Sequence, residues 1–100
     1  RSTLFPYTTL FRSIIDSLIG GEQRERLLYS LSHHPYRYGI PTGSQAREVY
    51  DKVGFLWNYV HDTAIVRHPR GAYVMTIMTQ GKSYAAIAAM TRDIERIMYP

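Results

Sequence analysis

The residues best placed to do chemistry are Asp51-Lys52-Val53-Gly54-Phe55, followed by His61-Asp62-Thr63-Ala64-Ile65-Val66. A lysine and a glycine two positions apart lie inside an apolar run that reads as a strand. Strand interiors disfavour both types, because glycine packs nothing and lysine seeks water. Together they mark a strand where a backbone comes close to a ligand and a cation meets it. Other chemistries fit less well. His33, His34, His61 and His68 have no His-x-x-x-His spacing and there is no cysteine, so no metal site is expected. His61 and Asp62 are neighbours on a strand and face opposite ways, so they make no catalytic pair. Asp62 reads instead as a brace for its strand or a nearby loop. Tyr84, Ile87 and Ile94 read as core contacts rather than a cofactor box, and no organic cofactor is expected.

These residues need elements to position them. Glu22 to Leu31 reads as an amphipathic helix, with Leu27, Leu28 and Leu31 on one face. Gly20-Gly21 precedes it and His33-His34-Pro35 ends it. Ile14 to Ile19 is a short apolar run. Tyr36 to Ala46, with Gly39, Pro41, Gly43 and Ser44, reads as a loop. Glu48 to Trp57 is the first strand, with Val49, Val53, Phe55 and Trp57 on one face and Asp51 as the exception. Val60 to Arg67 is the second, His68-Pro69-Arg70-Gly71 a tight turn, and Ala72 to Thr79 the third. The third strand is apolar on both faces and so requires cover on both. Ser83 is a candidate N-cap for a helix from Tyr84 to Met98. Tyr84, Ile87, Ala88, Thr91, Ile94 and Met98 form its inner stripe, and Arg92, Asp93, Glu95 and Arg96 its wet face. The expected class is α+β: a three-stranded antiparallel meander packed by an N-terminal-side helix and a long C-terminal helix.

Composition narrows the function classes. A length of 100 residues is one small domain or a piece of a larger one. With 45% hydrophobic and 20% charged residues the chain has globular composition. No apolar run approaches the roughly 18 residues of a membrane span. The net charge of +4 is spread along the chain, whereas nucleic-acid binders concentrate basic charge on one face. The nine tyrosines read as core and rim rather than as base-stacking platforms.

Arg1 to Ser13 reads RSTLFPYTTLFRS, repeats Thr-Leu-Phe, and fits neither a helical nor a strand period around Pro6. It closely resembles a translated sequencing adapter of the kind found at the ends of gene predictions from environmental reads. It is therefore set aside, leaving residues 14–100 as the domain and placing the true N-terminus upstream.

Lys52-Val53-Gly54, His61-Asp62-Thr63-Ala64-Ile65-Val66, the Pro-Arg-Gly hairpin, Tyr73-Val74-Met75-Thr76-Ile77-Met78 and the terminal helix together resemble the C-terminal end of class A β-lactamases and related penicillin-recognising serine hydrolases. Arg37-Tyr38-Gly39-Ile40-Pro41-Thr42-Gly43 resembles the loop leading into that strand. The resemblance runs from about Glu22 to the end and covers about the last third of such a domain. Of the family's three motifs, Ser-x-x-Lys, Ser-Asp-Asn and Lys-Thr-Gly, only the third has a counterpart here. No serine is followed three positions on by lysine, and Asn58, the only asparagine, is not preceded by Ser-Asp. The resemblance thus implies a C-terminal fragment, inactive alone, whose nucleophile, lysine and deacylating glutamate lie upstream.

For the residues present, the resemblance implies a substrate-binding strand edge. Lys52 supplies positive potential for a substrate carboxylate and for proton transfer. Gly54 leaves room for close approach, and the backbone N–H of Phe55 is one of two oxyanion donors. Val53 departs from the family's threonine or serine and lacks the hydroxyl that meets the carboxylate. The implied substrate is a small or peptide-like acyl compound, a β-lactam or related amide or ester. The implied partner is the missing N-terminal part of the same domain, and the implied location is periplasmic or secreted. The alternative is a non-enzymatic α+β binding or structural module whose Tyr and Arg residues grip a partner.

Overall fold

The computed structural model describes residues 20–100. The readings of residues 1–13 and 14–19 lie outside them. The first helix, α1, spans Gly21–His33 and is braced on its exposed side by Arg26 Nη2 to Glu22 Oε1 at 2.6 Å. Such a pair contributes about 0.3–0.5 kcal/mol, so packing beside the sheet decides where α1 sits. It stops at His34, whose extended ψ of 163° is what a following proline imposes.

The segment expected to be only loop contains a one-turn helix, α2, at Ile40–Gly43. The N–H groups of Thr42 and Gly43 both donate to the Gly39 carbonyl at 3.1 Å. Turn-forming residues concealed this turn, because Gly39, Pro41 and Gly43 are equally compatible with a loop. Gly43 is required by packing: a Cβ there would lie 2.1 Å from the Ala88 carbonyl oxygen. The turn therefore docks main chain to main chain on the last helix, with Ile40 buried beneath it.

Three strands follow: β1 (Glu48–Leu56), β2 (Tyr59–His68) and β3 (Gly71–Gln80), antiparallel in the order β1-β2-β3. Leu56 pairs with Tyr59 across the two-residue turn Trp57-Asn58, and His68 pairs with Gly71 across Pro69-Arg70. Trp57 has φ of 55° and is 89% exposed, a costly conformation for a bulky side chain.

One face of the sheet is the core face. Val49, Ala64, Val66, Tyr73, Met75 and Ile77 pack there with Ile40 and Ile87. Ile87 belongs to α3 (Tyr84–Met98), which starts at Ser83, whose Oγ accepts from the Ala86 N–H at 3.3 Å as the N-cap reading expected. Helices on one face of an antiparallel meander make the architecture α+β, as the sequence pattern implied. The opposite face, with Tyr50, Lys52, Gly54, Ile65, Val74, Thr76 and Met78, is only partly covered among the described residues. The cover that the doubly apolar β3 requires is thus present on one side.

One residue of α3 corrects the sequence reading. Glu95, assigned to the wet face, is buried, while Ile94, assigned to the inner stripe, is more open. Ile87, Ala88, Thr91 and Glu95 form the buried stripe at spacings of one, three and four, so periodicity alone puts Glu95 inside. Its charge argued for the outside, and hydrogen bonding overrides that argument. Glu95 Oε2 accepts from Ser44 Oγ at 2.5 Å and from the Tyr73 hydroxyl, and Oε1 from the Gln45 N–H at 2.8 Å. Burial pushes this carboxyl up, but those donors outweigh it and hold the pKa below the ordinary glutamate value.

Candidate active site

Lys52 to Phe55 lie on β1, an outer strand of the sheet. In an antiparallel strand the N–H and C=O of one residue point to the same side, and successive residues alternate. Arg37 Nη2 donates to the Val49 carbonyl at 2.9 Å, and Lys52 Nζ to the Val53 carbonyl at 3.0 Å. Both carbonyls therefore face outward. Val49, Asp51, Val53 and Phe55 present their main-chain groups to the free edge, and Tyr50, Lys52, Gly54 and Leu56 present theirs to β2. The Phe55 N–H and C=O end a row of edge groups whose carbonyls at Val49 and Val53 are already taken.

The side chains sort by the same alternation. The Lys52 side chain leaves on the open face of the sheet, and its ammonium turns back over the edge. Val53 is 7% exposed, on the core face and opposite Asp62. Phe55 is on the core-face side but 59% exposed, with its ring centroid 5.5 Å from that of Tyr36. Gly54 meets nothing: a Cβ built there has no atom within 4 Å and its φ is ordinary. Nothing inside the described residues requires glycine at this position, although a glycine costs strand stability.

Asp51, the exception in the apolar alternation, is 1% exposed. Its Oδ1 accepts from His34 Nε2 at 2.7 Å and Arg37 Nη1 at 3.1 Å. Arg37 also donates to the Leu31 carbonyl at 2.9 Å, so one guanidinium joins the end of α1 to β1. His34 Nδ1 accepts from the Tyr36 N–H at 3.2 Å, which leaves the proton on Nε2. Burial and the Arg37 charge lower the His34 pKa despite Asp51, so this imidazole is neutral at pH 7. Asp62 does brace a loop: its Oδ2 accepts from the Ile40 N–H at 2.9 Å. His61, facing the other way, accepts from the Thr79 N–H at 3.2 Å through Nδ1. His33 bonds within α1, to Ser32 and to the Tyr29 carbonyl.

The edge residues were visible in the sequence, and their support was not. His34 and Arg37 come from a segment that reads as loop. Their signal was indirect: an aspartate on the buried face of a strand requires donors, and these are the polar residues that reach it. A separate groove of about 390 Å³ lies at the other end of the sheet, beside His68, Arg70, Arg92 and Tyr99. It contains none of the β1 residues. Among the described residues there is no group of three or more His, Cys, Asp or Glu arranged to hold a metal ion. No described helix is long and apolar enough to cross a membrane.

An outer strand with a lysine, a gap at glycine and an outward main-chain donor can take an extended acyl compound along its edge. Comparison with known proteins bears on this arrangement. No curated protein matches the chain. Among solved structures, that of PBP-A is similar in fold, with a TM-score of 0.69 at 16% identity. The likeness covers 90% of this chain and 37% of that one, so the chain spans little over a third of PBP-A. A family model described as the beta-lactamase enzyme family matches residues 2–99, a span that begins within the segment set aside above. The match extends over nearly the whole chain, and the chain belongs to the beta-lactamase enzyme family.

Proposed function

We propose that this chain forms the strand-edge wall of a β-lactamase-like serine hydrolase that acts on β-lactams or related amides and esters through a serine acyl-enzyme. The observation that carries the reading is Gly54. Among the described residues its Cβ position is open and its backbone ordinary, so nothing they contribute needs glycine there, and an external group approaching the strand does.

In this reading the substrate lies antiparallel to the free edge of β1. Its carbonyl oxygen rests near the outward N–H of Phe55, which donates to the oxyanion as the serine attacks. A second donor comes from the backbone of the nucleophile. Each such donor is worth about 10²–10³ in rate. Lys52 holds positive potential beside the edge for a substrate carboxylate and for proton relay. The serine, its activating lysine and the deacylating base come from sequence upstream, which packs against the open face and completes the domain. The 100-residue chain alone therefore does not turn over substrate. Val53 turns its side chain into the core face, so it offers the edge only main-chain groups and leaves a substrate carboxylate to Lys52. The periplasm or the extracellular space is the proposed location.

The test is acylation. The longer polypeptide, incubated with a reactive β-lactam and measured by intact mass, gains one acyl group. The same protein with its proposed serine replaced by alanine gains none. Equal mass gain in both proteins would overturn the assignment.

A further inference from the structure

Asp51 and Asp62 are sealed beneath the strand that carries Lys52, at 1% and 0% exposure. They share the core face of neighbouring strands, two residues out of direct register, because Asp51 pairs with Ala64 and Asp62 with Val53. One oxygen of each is accounted for, Asp51 Oδ1 by His34 and Arg37 and Asp62 Oδ2 by the Ile40 N–H. Among the described residues the other two, Asp51 Oδ2 and Asp62 Oδ1, are buried with no donor. The two carboxyl side chains are within hydrogen-bonding reach of each other. Two acceptors can bond only with a proton between them.

We propose that Asp51 and Asp62 hold one proton between them and act as positioning residues, locking the Lys52 strand to the His34–Ile40 segment only while that proton is present. With it, the cluster balances. Asp51 is an anion facing Arg37, Asp62 is a neutral acid donating to Asp51, and His34 is a neutral donor. Lys52 adds positive potential from the strand itself, and Tyr84 of α3, with Tyr36 beyond it, adds uncharged phenol. Without the proton, two carboxylates share one buried site with a single guanidinium in contact. Burial first, then the hydrogen bond with Asp51 and lastly the Asp51 charge, push Asp62 up to about 8 against the Ile40 N–H. The weak point is the contact between the two carboxyls: once both are anions they repel, and the strain falls on Asp51, which holds His34 and Arg37. Loss of those bonds frees the outer edge of β1 at Val49 and Asp51, immediately before Lys52.

The positioning role rests on the proposed acyl-transfer edge, whereas the shared proton does not. Asp62→Asn separates them, since its amide can donate permanently to Asp51 while its carbonyl keeps the Ile40 N–H. In the longer polypeptide, wild-type acylation falls about tenfold from about pH 7 to about pH 9, and Asp62→Asn stays within about twofold. The thermal midpoint behaves alike, falling with pH in wild type and flat in the variant. Infrared spectra of the wild type alone show a protonated-carboxyl C=O band at pH 6 that vanishes on raising the pH, a readout independent of variant folding and of any substrate. Absence of that band, or an equal alkaline loss of stability in Asp62→Asn, overturns the shared proton. A band and stability shift without any difference in the acylation profile overturns the positioning role only. No acylation at any pH with the band present refutes the enzymatic reading and leaves the proton standing.

Discussion

Replacing Gly54 with alanine separates fold from function. Among the described residues no atom lies within 4 Å of the new methyl, and the backbone φ is one that any residue adopts. The folded state gains no clash. The unfolded state loses conformational freedom, which stabilises by about 0.4–1 kcal/mol. For a domain of the longer polypeptide's size each kcal/mol moves the midpoint by about 2–4 °C, so Gly54→Ala raises Tm by about 1–4 °C. Activity moves the other way. A methyl on β1 beside the free edge holds an approaching acyl group off by roughly 1 Å, and a displacement of that size costs about 10²-fold in the chemical step. The assay pairs thermal denaturation with the second-order rate of acylation by a reactive β-lactam, both on the longer polypeptide. A more stable protein with strongly reduced acylation supports the reasoning. Unchanged acylation refutes it, because the open space would then serve no ligand. A loss of stability would show that the methyl meets upstream structure instead.

Glu95→Gln keeps the shape but weakens three hydrogen bonds to a charged acceptor, from Ser44, Gln45 and Tyr73, and lowers stability by about 1.5–3 kcal/mol in chemical denaturation. Unaltered stability would mean that the buried stripe of α3 does not depend on this carboxylate. The two buried acids also oppose each other in pH. Glu95, with its pKa lowered in the fold, supplies stability above the ordinary glutamate range and loses it as pH falls below that range. Asp62, with its pKa raised, supplies stability below the ordinary aspartate range and loses it as pH rises through about 8. Denaturation midpoints therefore peak at mildly acidic pH and fall on both sides; a midpoint that rises steadily to pH 9 contradicts the Asp62 assignment.

What the sequence revealed followed from periodicity. The three strands, their meander order and α3 are strongly patterned, and their observed bounds differ from the expected ones by a residue or so at each end. The lysine and glycine of the edge stood out because strands avoid them. Three features escaped because local and tertiary effects compete. The α2 turn is written in loop residues and exists because Gly43 allows close contact with Ala88. Glu95 sits on the inner stripe by spacing but carries a charge, and only Ser44 and Tyr73, 51 and 22 residues away in sequence, explain its burial. Asp51 appeared as an interruption in an apolar face, yet its partners His34 and Arg37 lie 17 and 14 residues away, beyond any periodic signal. In each case the interruption was legible and the partner that satisfies it was not.

The β1 edge at Lys52–Phe55 is the proposed wall of an acyl-transfer site. The most direct measurement is intact-mass analysis of the longer polypeptide after exposure to a reactive β-lactam, with peptide mapping of the adduct. A single covalent acyl group is expected on an upstream serine, formed about 10²-fold more slowly in Gly54→Ala. No adduct, or an adduct whose rate is indifferent to Gly54, would contradict it.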